Sequence, residues 1–255
     1  MKKLMALLFA CILAASLFAL SACEGLQNLF GNDKENDIVG EYVLHEQIFT
    51  PMDENSPVKR YHIGDKGVSF SEDSWTLEFK SDKTFKLTST EVGAEGTVEG
   101  TWQSADGDYP DYTASVTKDD KTTSYDVTME DKNTVVLTGD GIGLRFIRKG
   151  VTLTLGSEVG TYKLYEVIDT SGDVYSRIHD TDRGSNFTAN DMVITLNKDG
   201  TLAATISGES SIGTWVKNDT YIVTTINENT STLTIVEDCL QLEFSASTTF
   251  VLKKV

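Results

Sequence analysis

The sequence contains few of the residues from which enzyme and metal sites are usually built. Its 255 residues include only three cysteines and three histidines, His45, His62 and His179. No two of them stand in the His-x-x-x-His or Cys-x-x-Cys spacing that zinc sites favour, and the Gly-x-Ser-x-Gly turn of nucleophilic hydrolases does not occur. We therefore expect a protein without enzymatic activity, metal or cofactor.

Positive charge is also scarce. Lys and Arg together number 22 against 39 Asp and Glu, which gives a net charge of −17 at pH 7. An acidic surface of this kind repels the phosphates of nucleic acid and gives no attraction to anionic lipid. The composition therefore argues against nucleic acid as a partner.

The first 23 residues have the order of an export signal, because Lys2 and Lys3 precede an apolar run, residues 4–20, and two small residues. The ending Leu20-Ser21-Ala22-Cys23 resembles the lipobox of bacterial lipoproteins, in which the signal is cut before the cysteine and the cysteine carries acyl chains such as palmitate. The resemblance implies a signal peptide at 1–22, lipidation of Cys23 and a cell-membrane anchor on the extracytoplasmic face. Two alternatives stay open here, a plain signal peptide and a short transmembrane helix, since the apolar run approaches the ~17 residues that can span a bilayer.

Cysteine usage fits this interpretation. Cys11 lies in the signal and Cys23 would be acylated, which leaves Cys239 without an intrachain disulfide partner. Cys239 opens the apolar segment 239–244, so we expect a buried, unreactive thiol rather than a reactive one. Residues 23–37 contain the acylated cysteine and a polar stretch that is typical of a flexible tether.

Beyond the tether, apolar and polar residues alternate with the period of a β-strand, and no stretch has helical periodicity. Short segments rich in Gly, Asn and Asp separate the runs, as at 81–83, 139–141 and 197–200. Thr and Val are frequent and proline is rare, which favours strands that need every backbone hydrogen bond. The pattern predicts an all-β protein.

The same order of segments occurs twice. The pattern Val-Gly-x-Tyr-x-Leu-x-Glu stands at 39–46 and again at 159–166. Further matches keep that order: 77–85 with 194–202, 100–102 with 213–215, and 146–149 with 250–254. Matches in register over so much of the chain indicate an internal duplication. We therefore divide the folded part into domains 38–150 and 151–255, each an antiparallel up-and-down meander of about eight strands.

Eight antiparallel strands in sequence order close most simply into a β-barrel, because closure removes the exposed sheet edges. Each domain resembles the small lipocalin-like domains that follow a lipobox in many bacterial envelope proteins. The place of the lipocalin Gly-x-Trp signature on the first strand is taken by Gly40-x-Tyr42 and Gly160-x-Tyr162. The resemblance implies that a basic residue of the last strand packs over this position, either Arg145 or Arg148 in the first domain and Lys253 in the second.

The resemblance also implies a function, the noncatalytic binding of a small apolar or amphipathic ligand. An eight-stranded barrel is wide enough to hold one small ligand or to be filled by its own side chains. A filled-barrel module for protein–protein interaction in the cell envelope is therefore the first alternative. An enzyme whose site cannot be grouped from the sequence is the second.

Lipocalins place a long first loop over the barrel mouth, and both domains have a long connection there, at about 50–74 and 169–191. The aromatic and basic residues of these loops are our candidate ligand-binding residues: Tyr61, His62, Phe70, Tyr175, Arg177 and His179. Alternatively, they are scattered side chains that pack on the barrel rim.

Overall fold

The computed structural model describes residues 37–92, 94–107 and 109–255. The predicted signal peptide, Cys23 and the predicted tether up to residue 36 lie outside the described residues. Within the described residues the structure has eighteen strands and one short 3-10 helix, Glu72–Ser74. Within this part of the chain, no helix has the length and the hydropathy that are needed to cross a bilayer.

Short turns join most of the strands. The first nine strands are β1 Gly40–Phe49, β2 Lys59–His62, β3 Trp75–Phe79, β4 Thr84–Ser89, β5 Gly96–Ser104, β6 Tyr112–Lys118, β7 Lys121–Asp131, β8 Thr134–Gly139 and β9 Ile142–Arg148. The other nine are β10 Gly160–Asp169, β11 Ser176–His179, β12 Met192–Leu196, β13 Thr201–Ile206, β14 Glu209–Asn218, β15 Tyr221–Ile226, β16 Asn229–Val236, β17 Cys239–Ser245 and β18 Thr248–Lys254.

Contacts divide the chain into two compact units. Unit 1 contains the described residues up to Phe49 together with Ser69–Val151, and unit 2 contains Thr50–Val68 together with Thr152–Val255. This division differs from domains 38–150 and 151–255 in two respects: the segment Thr50–Val68 packs with unit 2, and the boundary falls one residue later, after Val151. The pairing of β2 with β11 is part of the reason.

Each unit contains a closed eight-stranded antiparallel barrel. In unit 1 each of the strands β3 to β9 pairs with the next, and β1 closes the sheet by pairing with both β3 and β9. In unit 2 the strands β12 to β18 pair in the same way, and β10 pairs with both β12 and β18. The prediction of an all-β, up-and-down, eight-stranded fold is confirmed.

One end of each barrel, which we call the floor, is closed by a tyrosine and a basic residue. In unit 1 Tyr42 pairs in register with Arg148, whose guanidinium lies 4.8 Å from the centroid of the tyrosine ring. Arg148 also donates hydrogen bonds of 2.8 Å to Tyr42 Oη and to the Val39 carbonyl. Gly40 has φ +154°, and a Cβ there would collide with Arg148, so the Gly-x-Tyr pattern needs its glycine.

The floor of unit 2 corrects one prediction. Tyr162 pairs with Lys254 and not with Lys253, and the Lys254 ammonium donates to the Ser157 carbonyl at 2.9 Å. Successive strand residues face opposite sides of a sheet, so a shift of one position decides which lysine reaches the floor. Lys253 instead lies over the ring of Tyr165, 4.8 Å from its centroid.

Candidate functional site

Large aromatic side chains fill the interior of unit 1. The ring centroid of Phe79 lies 6.3 Å from that of Tyr42 and 6.0 Å from that of Trp102, both in edge-on contacts. Trp102 in turn lies 5.6 Å from Tyr112. These rings are almost fully buried and pack as an ordinary protein core does. The interior of this barrel is therefore occupied by its own side chains.

The end of the barrel opposite the floor, which we call the mouth, is capped in unit 1. Glu91 Oε2 accepts hydrogen bonds from Trp75 Nε1 at 2.7 Å and from Gln47 Nε2 at 3.2 Å. Ala94, in the same connection between β4 and β5, is buried in the core. Tyr125 is buried near this end as well, and burial raises the pKa of its phenol to about 12. The mouth of unit 1 is therefore covered by polar and aromatic groups.

The mouth of unit 2 is apolar and exposed. Along β13 the inward-facing residues change from 2% exposed at Leu202 to 45% at Ile206. Along β17 they change from 0% at Leu240 to 64% at Phe244, which stacks on Phe250 with ring centroids 4.6 Å apart. We call the following residues the unit 2 mouth: Ile206, Ile226, Phe244 and Phe250.

The residues near one pair of positions account for much of the difference between the two mouths. In unit 1 Tyr125 lies over Gly139, where an added Cβ would be 2.7 Å from the tyrosine ring. Strand register places Ser231 at the Tyr125 position of unit 2, and Phe244 lies in a bulge of the neighbouring strand β17. Unit 2 thus has no counterpart of the buried Tyr125 ring, its Phe244 ring is exposed at the rim, and the small Ser231 does not reach across the opening.

At two further positions, unit 2 lacks the hydrogen-bond donors that hold the cap of unit 1. Gln47 and Trp75, which bind Glu91 in unit 1, correspond in register to Val167 and Met192 in unit 2. Neither side chain of unit 2 has an N–H with which to hold a carboxylate. The unit 2 mouth is accordingly lined by apolar groups where unit 1 has a polar network.

Acidic residues stand beside the unit 2 mouth. Glu209 pairs with Ile206 across the two-residue turn Ser207-Gly208, and Glu228 lies in the turn that follows Ile226. Both glutamates are exposed. In a chain with a net charge of −17, they make the electrostatic potential beside the mouth negative.

Unit 2 also contains a polar cluster built from two copies of one loop motif. The motif Arg-x-His-x-x-Asp-(Lys or Arg)-Gly-x-x-Phe occurs at 60–70 and again at 177–187. The two copies make the same backbone hydrogen bond in both directions: Val58 N to Arg183 O and Tyr175 N to Lys66 O, each 3.0 Å. The two loops therefore hold each other reciprocally.

Each arginine of this motif binds the aspartate of the other copy. Arg60 Nε and Nη2 donate to the Asp182 carboxylate at 2.6 and 2.9 Å. Arg177 Nε and Nη2 donate to the Asp65 carboxylate at 2.6 and 2.8 Å. All four side chains are nearly buried. Bidentate, charge-assisted ion pairs of this kind fix the orientation of both side chains.

Glu166 joins the cluster from β10, just after a β-bulge. Its Oε2 accepts a hydrogen bond from Arg177 Nη1 at 2.6 Å, and its Oε1 lies 3.3 Å from His179 Nε2. Burial by itself would raise the pKa of Glu166, but the hydrogen bond with His179 and the charge of Arg177 outweigh burial and lower the pKa to about 2. An ionised carboxylate with so low a pKa suits ion pairing better than proton transfer near neutral pH.

The structure brings several of the predicted ligand-binding residues into or beside this cluster. Arg177 and His179 are members of it, and Tyr175 contributes its backbone N–H to the loop pairing. Tyr61 is half-buried on β2. His62 Nδ1 lies 3.0 Å from the carbonyl oxygen of the next residue. Their polar contacts here are with other groups of the protein.

Phe70, the remaining predicted residue, packs against the core of unit 1. Its counterpart in the second loop motif is Phe187, which packs against the core of unit 2 and which the sequence analysis missed. Aligning the two loops would have found it, since both phenylalanines close the same motif. The unit 2 mouth was missed because its residues only differ from unit 1 when the strands are compared in register.

No protein-family model matches the chain, and a comparison with curated proteins finds no match. Among solved structures, the chain is similar to the crystal structure of a DUF4847 family protein from Bacteroides vulgatus. The two share 17% sequence identity over 46% of this chain and 96% of that chain, with a TM-score of 0.28. The strand pairing itself defines this chain as an all-β protein of the β-barrel class.

Proposed function

We propose that this chain is a membrane-anchored, extracytoplasmic lipoprotein that binds a small apolar or amphipathic ligand without catalysing a reaction, and that the ligand binds at the unit 2 mouth. The observation that supports binding is the exposed apolar rim at Ile206 and Phe244, in a chain whose other barrel is capped and filled. Single exposed apolar side chains are common on proteins. Apolar side chains that converge on one barrel opening are typical of ligand sites.

The acidic surroundings of the mouth narrow the ligand class. Glu209 and Glu228 disfavour fatty acids and other anionic amphiphiles. In the loop cluster, the cations Arg60 and Arg177 are each bound by a carboxylate of the protein. A neutral ligand, or one with a cationic head group, fits this arrangement best.

A fluorescence titration tests the binding site. The neutral probe N-phenylnaphthylamine should bind the wild-type protein and bind more tightly than the anionic anilinonaphthalene sulfonate. Ser231→Tyr restores the residue that plugs unit 1, so it should weaken probe binding about tenfold or more, because a phenol then occupies the opening. Thr230→Tyr adds the same side chain on the outer face of the same strand and should leave binding unchanged. Equal probe binding by the wild type and by Ser231→Tyr would refute the site.

The membrane anchor is the other part of this proposal, and it is supported by the lipobox-like sequence Leu20-Ser21-Ala22-Cys23. Two or three acyl chains on Cys23 would anchor the protein firmly, where a single chain binds only marginally. Cys23→Ala should release the protein from the membrane fraction, and a globomycin-type inhibitor of lipobox processing should leave an uncut precursor. A membrane fraction that is unchanged in Cys23→Ala would contradict the anchor.

The filled interior of unit 1 favours a second function, that of a protein–protein interaction module of the cell envelope. With Trp102 packed between Phe79 and Tyr112, this barrel can act only through its surface. Chemical crosslinking in intact cells, followed by mass spectrometry of the linked peptides, tests this function. Reproducible links from unit 1 to one envelope protein would support it, and their absence would contradict it.

A further inference from the structure

The outer face of strands β13 to β16 in unit 2 has no charged side chain. Its outward positions hold only Thr, Ser, Ala, Val, Ile, Tyr and, at the end of β14, Asn. Ile212 is 82% exposed and Val216 is 62% exposed at its centre. We call this surface the charge-free face. It is unexpected in a chain in which 24% of the residues are charged.

The equivalent face of unit 1 shows that the fold does not require this composition. There, Lys86 and Glu99 are cross-strand partners and form an ion pair at 3.6 Å. In unit 2 the same pair of positions is Ala203 and Ile212.

Two further outward positions, one on β5 and one on β7, also have an apolar or hydroxyl-bearing residue in unit 2. Gln103 and Asp126 of unit 1 flank the same strand, β6, and correspond to Val216 and Thr232 of unit 2. Side chains alternate between the inside and the outside along the strands of both barrels. The fold therefore permits the same residues at the outward positions of either barrel. The charged Lys86, Glu99 and Asp126 and the neutral Gln103 of unit 1 are thus replaced in unit 2 by apolar or hydroxyl-bearing residues.

We propose that the charge-free face is the surface through which two copies of this chain associate, face to face about a two-fold axis. A net charge of −17 makes two copies repel each other over most of their surface. The repulsion is smallest where the facing surfaces have no charge, and burial of Ile212 and Val216 there removes apolar surface from water without desolvating an ion. Electrostatic repulsion therefore opposes the association of two copies least at this face.

The hydroxyl groups make the face complementary to itself. A threonine hydroxyl both donates and accepts hydrogen bonds, so two identical threonine rows can pair with each other. Identical rows of lysine or aspartate could not. A two-fold interface requires this property, because the same patch must serve on both sides.

The size of the face sets the expected strength. Four strands about 4.8 Å apart, with about six residues along each, cover roughly 20 Å by 20 Å. The outer side of a barrel is convex, so contact is centred on the Val216–Val223 pair of β14 and β15. An interface of this size belongs to the weak class, for which we expect a dissociation constant in the micromolar range.

Sedimentation equilibrium tests the proposal on the protein extracted from membranes in a nonionic detergent. The wild-type mass should rise from monomer to dimer as the concentration approaches about 0.1 mM. Val216→Glu puts a negative charge in the centre of the face and should raise the dissociation constant at least tenfold. Gln103→Glu adds the same charge at the same register position of unit 1, so it is the matched control and should dimerise as the wild type does.

Added salt gives an independent readout. The exposed acidic residues at the ends of these strands and in their turns, such as Glu209, Asp219 and Glu228, repel their counterparts in a second copy. Raising the ionic strength should therefore strengthen the dimer. Ile212→Glu should repeat the effect of Val216→Glu, and unchanged circular dichroism would show that both variants fold. A wild type that stays monomeric at about 0.1 mM, an equal effect of Gln103→Glu and Val216→Glu, or a larger complex containing another protein would each overturn the proposal.

Discussion

Arg177 and Asp65 form a nearly buried ion pair in unit 2, with two parallel hydrogen bonds of 2.6 and 2.8 Å. Arg60 and Asp182 repeat the pair with the roles of the two loops reversed. The same kind of ion pair therefore occurs twice and holds the segment Thr50–Val68 against the rest of unit 2. This explains why a segment that precedes most of the first barrel in the chain belongs to the second compact unit.

Removing Arg177 should be strongly destabilising. Arg177→Ala leaves both Asp65 and Glu166 buried without their shared cation, and breaking a buried pair in this way costs about 3–5 kcal/mol of unfolding free energy. Urea denaturation at neutral pH measures the loss. Lys149→Ala removes the exposed partner of Glu41 and should change stability little, because an exposed pair is screened by water. Similar midpoints for the two variants would contradict the structural role of the cluster.

The stability of unit 2 should fall in acid because of Glu166. The carboxylate has a pKa of about 2 in the folded protein, below its ordinary value of 4.5, so it binds fewer protons folded than unfolded. Its stabilising contribution, about 3 kcal/mol, is therefore fully present above pH 4.5 and is lost as the pH falls from 4.5 towards 2. Urea midpoints recorded between neutral pH and about pH 3 test this.

Glu166→Gln is the matched variant for that pH series. Glutamine keeps the shape of the side chain and does not titrate, so the variant should be less stable than the wild type at neutral pH and should lose less stability on acidification. Parallel pH profiles for the two proteins would show that another group dominates the acid sensitivity.

The barrels could be predicted from the sequence because strand alternation and turn residues are local signals, and the duplication repeated them. The loop cluster could not, since pairs such as Arg60 with Asp182 join distant parts of the chain and only folding brings them together. The motif that encodes the cluster is nevertheless present twice in the sequence. The floor of unit 2 was missed by one position, although the alternation of Phe250 and Leu252 along β18 already places Lys254 on the same side of the strand.

Cys239 should be slow to react while the protein is folded. Its thiol is half-buried, and burial together with the negative charge of Asp238 raises its pKa well above the ordinary value. The thiolate is the reactive form, so iodoacetamide should modify Cys239 about tenfold or more slowly in the native protein than in urea. Peptide mass spectrometry follows this residue separately from other cysteines. Equal rates in both states would refute the prediction that the thiol is unreactive.

The packing of Tyr125 on Gly139 should appear as a coupling between the two positions. Gly139→Ala places a Cβ about 2.7 Å from the ring of Tyr125 and should cost about 1–3 kcal/mol, because the overpacked ring must move. Tyr125→Ser removes the ring, destabilises unit 1 by the loss of a buried aromatic side chain, and makes room for the added methyl group. In the double variant with Tyr125→Ser and Gly139→Ala, the added methyl group should therefore lower the free energy of unfolding only slightly. A double-mutant cycle in urea should give a favourable interaction energy of about 1 kcal/mol or more. Strict additivity would mean that Tyr125 is not held over Gly139, and the proposed contrast between a plugged and an open mouth would then lose its main support.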